Sequence, residues 1–224
     1  FSSMMISPEY GGERLDEVTY VLAMEEIIKI DASDSVCMSV NNSLVCYGLE
    51  AFGTEEQKQK YLIPLARGKK GDNISPGAFL LRATDAGSDA TSQKTTAEER
   101  GDHYVLNGTK NWITNGNTAS VYLVMAQSHA EKASRGINAL IVEKETTGVS
   151  VGAKENKLGI RGSDTHSINF NEVVVPKENR IGEDGFGFTF AMKTLAGGLI
   201  VIASQALGIA SGAYELSLKY AKER

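Results

Sequence analysis

Three histidines, two cysteines and several glycine-rich runs are the first candidates for chemistry in this 224-residue chain. Their spacing argues against the commonest uses of each. His103, His129 and His166 fall at strand or loop positions, without ligand spacing to one another or to Cys37 and Cys46, so no metal site is expected. The glycine runs match neither G-x-G-x-x-G nor a phosphate loop with its lysine, and no Ser–His–Asp order can be argued. What remains is a group of specific segments in a particular order, among them Lys110-Asn111-Trp112-Ile113-Thr114-Asn115-Gly116. A lone tryptophan is costly to expose on a β-loop, so Trp112 needs a partner, and a threonine follows it two residues on. The bland alternative makes Trp112 a core anchor and Thr114 a strand-end hydroxyl.

Bulk properties narrow the partners. The net charge is −5 with acids and bases interleaved, and no basic face stands out, so nucleic acid is not expected. No apolar run approaches the roughly 20 residues of a bilayer span, so no membrane span is expected. Cys37 and Cys46 lie nine residues apart in one predicted helix, on roughly opposite faces, and cannot bridge within it. They read as small hydrophobes in a reducing compartment. Phe1 is not an initiator, and Ser204 to Arg224 stops within a helical pattern, so a fragment of a longer protein is expected.

Three blocks position these residues. From Glu13 to about Arg67 the period is helical. Leu15, Val18 and Leu22, with Val21, Met24 and Ile28, predict one buried face, and Val36, Val40, Leu44 and Tyr47 predict another. Gly53 sits at a C-terminal cap position, Thr54 to Gln57 fits a capping box, and Pro64 should end or kink the next helix. Arg67 to Asn73 reads as a linker. From Gly77 to about Pro176 the period is two. Val121 to Gln127 and Ile137 to Glu143 are apolar strands, Asn107-Gly108 is a hairpin signal, and Ile168, Phe170, Val173 and Val175 alternate towards Pro176. Many short strands with glycine turns indicate an antiparallel sandwich or barrel. From Glu183 the chain is helical again. Gly185-Phe186-Gly187-Phe188 opens a helix, Gly197-Gly198 interrupts it, and Ile200, Ala203, Leu207, Ala210, Ala213 and Tyr214 suit close helix packing.

The ordered segments are specific together. Phe79-Leu80-Leu81 runs into Ala86-Gly87-Ser88-Asp89-Ala90, then come Leu106 to Gly116, Gly159 to Thr165, Val175 to Asn179, Gly185-Phe186-Gly187 and Gln205-Ala206-Leu207-Gly208. In this order they resemble the acyl-CoA dehydrogenase family, its short-chain (butyryl-type) branch most closely. The resemblance implies an α+β fold: part of an N-terminal helical domain (1–74), a middle antiparallel β-barrel or sandwich domain (75–181), and the start of a C-terminal helical bundle (182–224). It implies FAD as cofactor, with Phe79, Leu80, Leu81, Arg82, Gly87, Ser88, Trp112, Ile113 and Thr114 around it. Trp112 would flank the ring, and Thr114 would hydrogen-bond near flavin N5. Substrate acyl-CoA would meet Ser88, Ala196, Gly197, Gly198 and Leu199.

The reaction implied is α,β-dehydrogenation to trans-2-enoyl-CoA. A glutamate beyond Arg224 would take the α-proton while the β-hydride goes to the flavin, so no acid of this chain is assigned as catalytic. An electron-transferring flavoprotein and a homotetramer are the implied partners. The implied location is cytoplasmic in a bacterium and the mitochondrial matrix in a eukaryote. Two positions depart from the family pattern: Arg82 stands where Ser or Thr is usual, before the usual Glu-Pro, and Leu199 stands where arginine commonly follows Gly-Gly. The stretch Lys69 to Ser75 also looks longer than the usual connection. These departures motivate an alternative, a degenerate non-redox paralogue that keeps the fold as a binding or scaffold protein.

Overall fold

The computed structural model describes residues 3–68 and 75–224. Residues 69–73 of the run read as a linker (Arg67 to Asn73) lie outside them. The N-terminal layer begins with helix α1 (Glu17–Ile28), whose first turn is capped by the Asp16 carboxylate accepting from the Thr19 N–H. Its buried face is Tyr20, Met24 and Ile28, packed with Met4 and Val201. The expected Leu15–Val18–Leu22 stripe points outward instead, with Val18 69% exposed. The helical period was correct, but the apolar arc is wider than the covered one.

A long helical stretch follows, comprising α2 (Ala32–Ser39), a π-helical segment (Val40–Cys46) and α3 (Tyr47–Phe52). Here the expected burial is reversed. Ser35, Ser39, Asn42, Ser43 and Cys46 are buried, whereas Val36, Val40 and Leu44 are half-covered and Tyr47 is exposed. The apolar side faces an open cleft, and the small polar side faces the protein. Gly53 ends α3 in an extended rather than a left-handed conformation. The Thr54–Gln57 capping box forms at the start of α4 (Glu55–Gln57). Pro64 does not stop the chain: it lies in α5 (Ile63–Ala66), directly after a π-helical turn at Lys58–Leu62. The wider turn accommodates the missing N–H and the ring.

The middle block is one eight-stranded sheet: β1 (Gly77–Leu80), β2 (Thr96–Arg100), β3 (His103–Thr114), β4 (Val121–Gln127), β5 (Ile137–Glu143), β6 (Val149–Lys154), β7 (Thr165–Pro176) and β8 (Arg180–Ile181). The order is β6-β7-β3-β2-β4-β5-β8, with β1 also on β4. Most pairs are antiparallel, but β1 and β2 each run parallel to β4. Strands β4 and β5 are buried on both faces, which explains their unbroken apolar runs. Leu123, Met125, Ala139 and Ile141 meet the helices, while Tyr122, Val124, Leu140 and Val142 face a second core with Tyr104, Ile168 and Val173.

Asn107-Gly108 is a β-bulge inside β3, not a hairpin turn. The register against β7 shifts between Leu106 and Gly108, where Gly108 has φ +133° and a Cβ would lie 2.8 Å from Thr95 Cα. Asn107 Nδ2 donates to the Glu172 carboxylate (2.6 Å), and the Glu172 N–H donates to Asn107 Oδ1 (2.8 Å). Local chemistry read as a turn therefore ties two long strands together.

Helix α6 (Gly187–Glu223) runs unbroken through Gly197-Gly198, so the expected interruption is absent. Its buried stripe is Val201, Ser204, Gln205, Gly208 and Gly212, against α1. Ile200, Leu207 and Tyr214 are exposed, contrary to the expected packing face. By length and composition α6 could cross a bilayer, an 18-residue window of it having mean hydropathy 1.6. One side of it lies along α1, β4 and β5, whereas many of its apolar residues, Ile202, Leu207, Ile209 and Leu216 among them, are exposed.

Candidate active site

A cleft of about 550 Å³ opens between the helical layer, the ends of β1 and β3, and the start of α6. That size suits a drug- or cofactor-sized ligand. The helical wall is Val36, Val40 and Leu44, and two of these sit in the π-helical segment, a geometry often found beside functional sites. Phe79 and Leu81 close the end of β1, and Met192, Leu195 and Ile202 come from α6. Phe79 stacks on Phe190 with ring centroids 6.1 Å apart, and Phe52 meets Phe190 edge-on at 5.7 Å. This aromatic group fixes the floor.

Trp112 forms the opposite wall. It has φ +58° at a register shift of β3 on β7, and it is 55% exposed. A left-handed backbone costs a bulky residue on the order of 1–3 kcal/mol. The bulge turns the indole out of the sheet and into the cleft, which core packing alone would not require. Thr114 lies at the end of the same strand and lines the cleft.

The structure brings eight of the nine residues expected around the cofactor to one place. Phe79, Leu81, Arg82, Gly87, Ser88, Trp112, Ile113 and Thr114 line one cleft. Leu80 does not: strand alternation sends its side chain into the β core, fully buried. The Ile113 side chain also packs in that core, so its part in the lining falls to the backbone. Ala196 and Gly197 line a different cavity of about 290 Å³, with Tyr20, Tyr47 and Lys193. A Cβ at Gly198 would touch Leu44, and Leu199 is 71% exposed. Neither Gly198 nor Leu199 lines either cavity. The four residues are spread round α6 because a helix turns about 100° per residue.

Three positions that support the walls carried no assigned role in the sequence. Lys110 is fully buried, and its Nζ donates to Leu81 O (2.9 Å) and Gln93 Oε1 (2.6 Å). Burial pushes its ammonium down to about 7. Asn115 donates from Nδ2 to Cys37 O and Gly77 O, both 3.2 Å, joining the end of β3 to α2 and β1. Asp164 Oδ2 accepts from the N–H groups of Asn117 and Thr118 at 2.8 Å, and Oδ1 lies 2.7 Å from His166 Nε2. Burial raises the Asp164 carboxyl, but those N–H groups and the imidazole prevail and hold it below its usual range. The only signal for these roles was their position beside the tryptophan or within the ordered segments.

The loop after β1 is clamped from β3. The Asn111 N–H donates to Arg82 O (3.1 Å), Asn111 Nδ2 donates to Thr84 Oγ1 (2.9 Å), and Ala83 and Ala86 exchange backbone bonds at 3.1 Å. The two segments that could hold a planar ligand are thus one hydrogen-bonded unit.

Comparison with known proteins agrees with this geometry. The N-terminal domain model of acyl-CoA dehydrogenase matches residues 1–69, and the middle domain model matches 78–173. A short-chain-specific acyl-CoA dehydrogenase of Clostridium acetobutylicum is 47% identical over 218 residues, covering 97% of this chain and 56% of that protein. The structure of butyryl-CoA dehydrogenase from Megasphaera elsdenii superposes with TM-score 0.95 at 42% identity, covering all of this chain and 58% of that one. An acyl-CoA dehydrogenase complexed with FAD from Bacillus anthracis matches with TM-score 0.89 at 36% identity, over 99% of this chain and 37% of that one. The chain thus spans a little over half the length of the curated relative. By its two matched domains and the fold they build, this chain belongs to the acyl-CoA dehydrogenase family.

Proposed function

We propose that this chain supplies the flavin- and thioester-binding walls of an FAD-dependent enzyme that dehydrogenates a short-chain acyl-CoA to the trans-2-enoyl-CoA. The observation that carries the reading is Trp112, held in a left-handed conformation and half-exposed over an apolar cleft of about 550 Å³. On this reading residues 1–74 are part of the N-terminal helical domain, 75–181 the middle β domain, and 182–224 the start of the C-terminal helical domain.

The residues present fit the cofactor. Trp112, Phe79 and Leu81 offer flat apolar surface and exclude water, Thr114 and Ser88 offer hydroxyl groups, and nothing lies within 4 Å of where a Gly87 Cβ would be. FAD, when bound, accepts the hydride from the β-carbon. Thr114 would donate a hydrogen bond at the polar edge of the ring, and Ser88 would hold the CoA arm. Lys110 and Asn111 keep the facing loop in register with Trp112. Among the described residues that line the cleft there is no Asp or Glu; on the family resemblance the base for the α-proton would be a glutamate outside these 224 residues. Hydrogen bonds to the thioester carbonyl would stabilise the developing enolate.

An electron-transferring flavoprotein is the proposed oxidant and a homotetramer the proposed assembly, in the cytoplasm of a bacterium or the mitochondrial matrix of a eukaryote. The alternative reading, a non-redox paralogue, loses one motive because Leu199 is exposed and does not line the cleft; Arg82 remains. The test is anaerobic addition of butyryl-CoA to the full-length protein loaded with FAD. Flavin absorbance should bleach. A well-folded protein that takes up no FAD would refute the reading.

A further inference from the structure

Among the described residues lining the cleft, Arg82 is the one that is charged; the others are apolar or neutral. Its place is fixed on both sides. Leu81 O accepts from Lys110 Nζ (2.9 Å), and Arg82 O accepts from the Asn111 N–H (3.1 Å), so Arg82 lies across from the residue that precedes Trp112. The nearest acid along the loop, Asp85, is engaged with Lys94 at 3.2 Å. Among the described residues no carboxylate pairs with the Arg82 guanidinium. An always-charged donor beside an apolar cleft, without an internal counter-charge, is suited to a ligand that is or becomes anionic.

We propose that Arg82 sets the electrochemistry of the flavin, by favouring its reduced form over its oxidised form. This rests on the reading of the cleft as a flavin site. Hydride transfer breaks the substrate C–H bond and delivers two electrons and one hydrogen to the ring, so reduction adds one negative charge to the cleft. The apolar walls leave that charge poorly solvated, and the guanidinium is the cation placed to meet it. Arg82 is itself exposed, so water screens the attraction and the effect is moderate. The reduced flavin is expected to be held more tightly than the oxidised one by a further factor of about ten because of Arg82, which for a two-electron couple is about 30 mV of midpoint potential.

The test uses the full-length holoprotein and three variants: Arg82→Gln, close in length without the charge; Arg82→Lys, which keeps the charge; and Arg82→Ser, small and neutral. Midpoint potentials are read by equilibration with a redox dye, and oxidised-FAD affinity by titration. The proposal expects Arg82→Gln and Arg82→Ser to lower the potential by about 30 mV, with Arg82→Lys close to the parent. Bound FAD with an unmoved potential in Arg82→Gln would overturn the proposal alone. So would an Arg82→Ser variant that gains oxidised-FAD affinity and keeps its potential, because the guanidinium would then be an obstruction. A parent protein that takes up no FAD overturns the flavin reading and this proposal with it.

Discussion

Replacing Lys110 by methionine should change how stability depends on pH, not only how large it is. Lys110 is 0% exposed, and its Nζ meets two neutral oxygens, Leu81 O and Gln93 Oε1. A neutral amine can satisfy both acceptors. Burial brings the folded-state value to about 7, against about 10.4 for an unfolded lysine. Below about pH 7 both states are protonated, and the group contributes no slope. Between about 7 and 10.4 the unfolded state binds the extra proton, so stability rises with pH. From pH 7 to 9 this amounts to about 2 kcal/mol, given that 1.36 kcal/mol accompanies each full unit. Buried phenols such as Tyr20 are pushed up by desolvation and act oppositely at higher pH, so the comparison ends at pH 9. Lys110→Met removes the proton site and leaves Leu81 O and Gln93 Oε1 without that donor, at a cost of about 1–3 kcal/mol each. Urea unfolding of both proteins at pH 7, 8 and 9 supplies the test. The gap between them should widen by about 2 kcal/mol over this range. Parallel curves would show that the ammonium stays charged throughout, and would refute the desolvation argument.

Two further predictions follow from the backbone. Trp112→Gly relieves a left-handed conformation and uncovers little, because the indole is already 55% exposed. Thermal unfolding without FAD should place the variant within about 1 kcal/mol of the parent, against roughly 3–5 kcal/mol for truncating a buried tryptophan, while FAD titration shows affinity reduced more than about tenfold, the loss of stacked area being worth at least 1.4 kcal/mol. In α6 two glycines should respond with opposite sign. A Cβ at Gly208 would lie 2.7 Å from Ile28 Cβ and 3.0 Å from Glu25 O, whereas at Gly197 it would meet nothing within 4 Å. Gly208→Ala should destabilise by about 1–3 kcal/mol and Gly197→Ala should stabilise by up to about 1 kcal/mol. Calorimetry showing the same sign for both would refute the close packing of α1 on α6.

Element type was legible in the sequence wherever one periodicity ran for a full element, as in β4, β5 and β7. Which face was covered was not. Val18 and Leu22 on α1, and Leu207 on α6, have the spacing of a core and are exposed. Val40 and Leu44 line a cleft, with Ser39, Asn42 and Ser43 behind them. Periodicity records that a stripe is apolar, not what lies against it. Asn107-Gly108 misled for a related reason: the left-handed backbone of a tight turn is also what a bulge needs, and only pairing with Glu172 on a distant strand distinguishes them. The walls of the site were readable because their residues sit in two contiguous segments. The cleft-lining face of α6 was not, because the resemblance marks the consecutive residues Ala196 to Leu199, whereas Met192, Leu195 and Ile202 share the face that lines the cleft.

The unbroken course of α6 links two places. Met192, in the cleft wall, and Gly208, on α1, are 16 positions apart in one helix, about 24 Å at 1.5 Å per residue. The backbone has no joint between them at which one end could move alone. The helix that walls the cleft at Met192 and Leu195 is thus the same one that seats Gly208 on Ile28 and Gly212 on Lys29, so the cleft wall and the α1 contact share one continuous backbone.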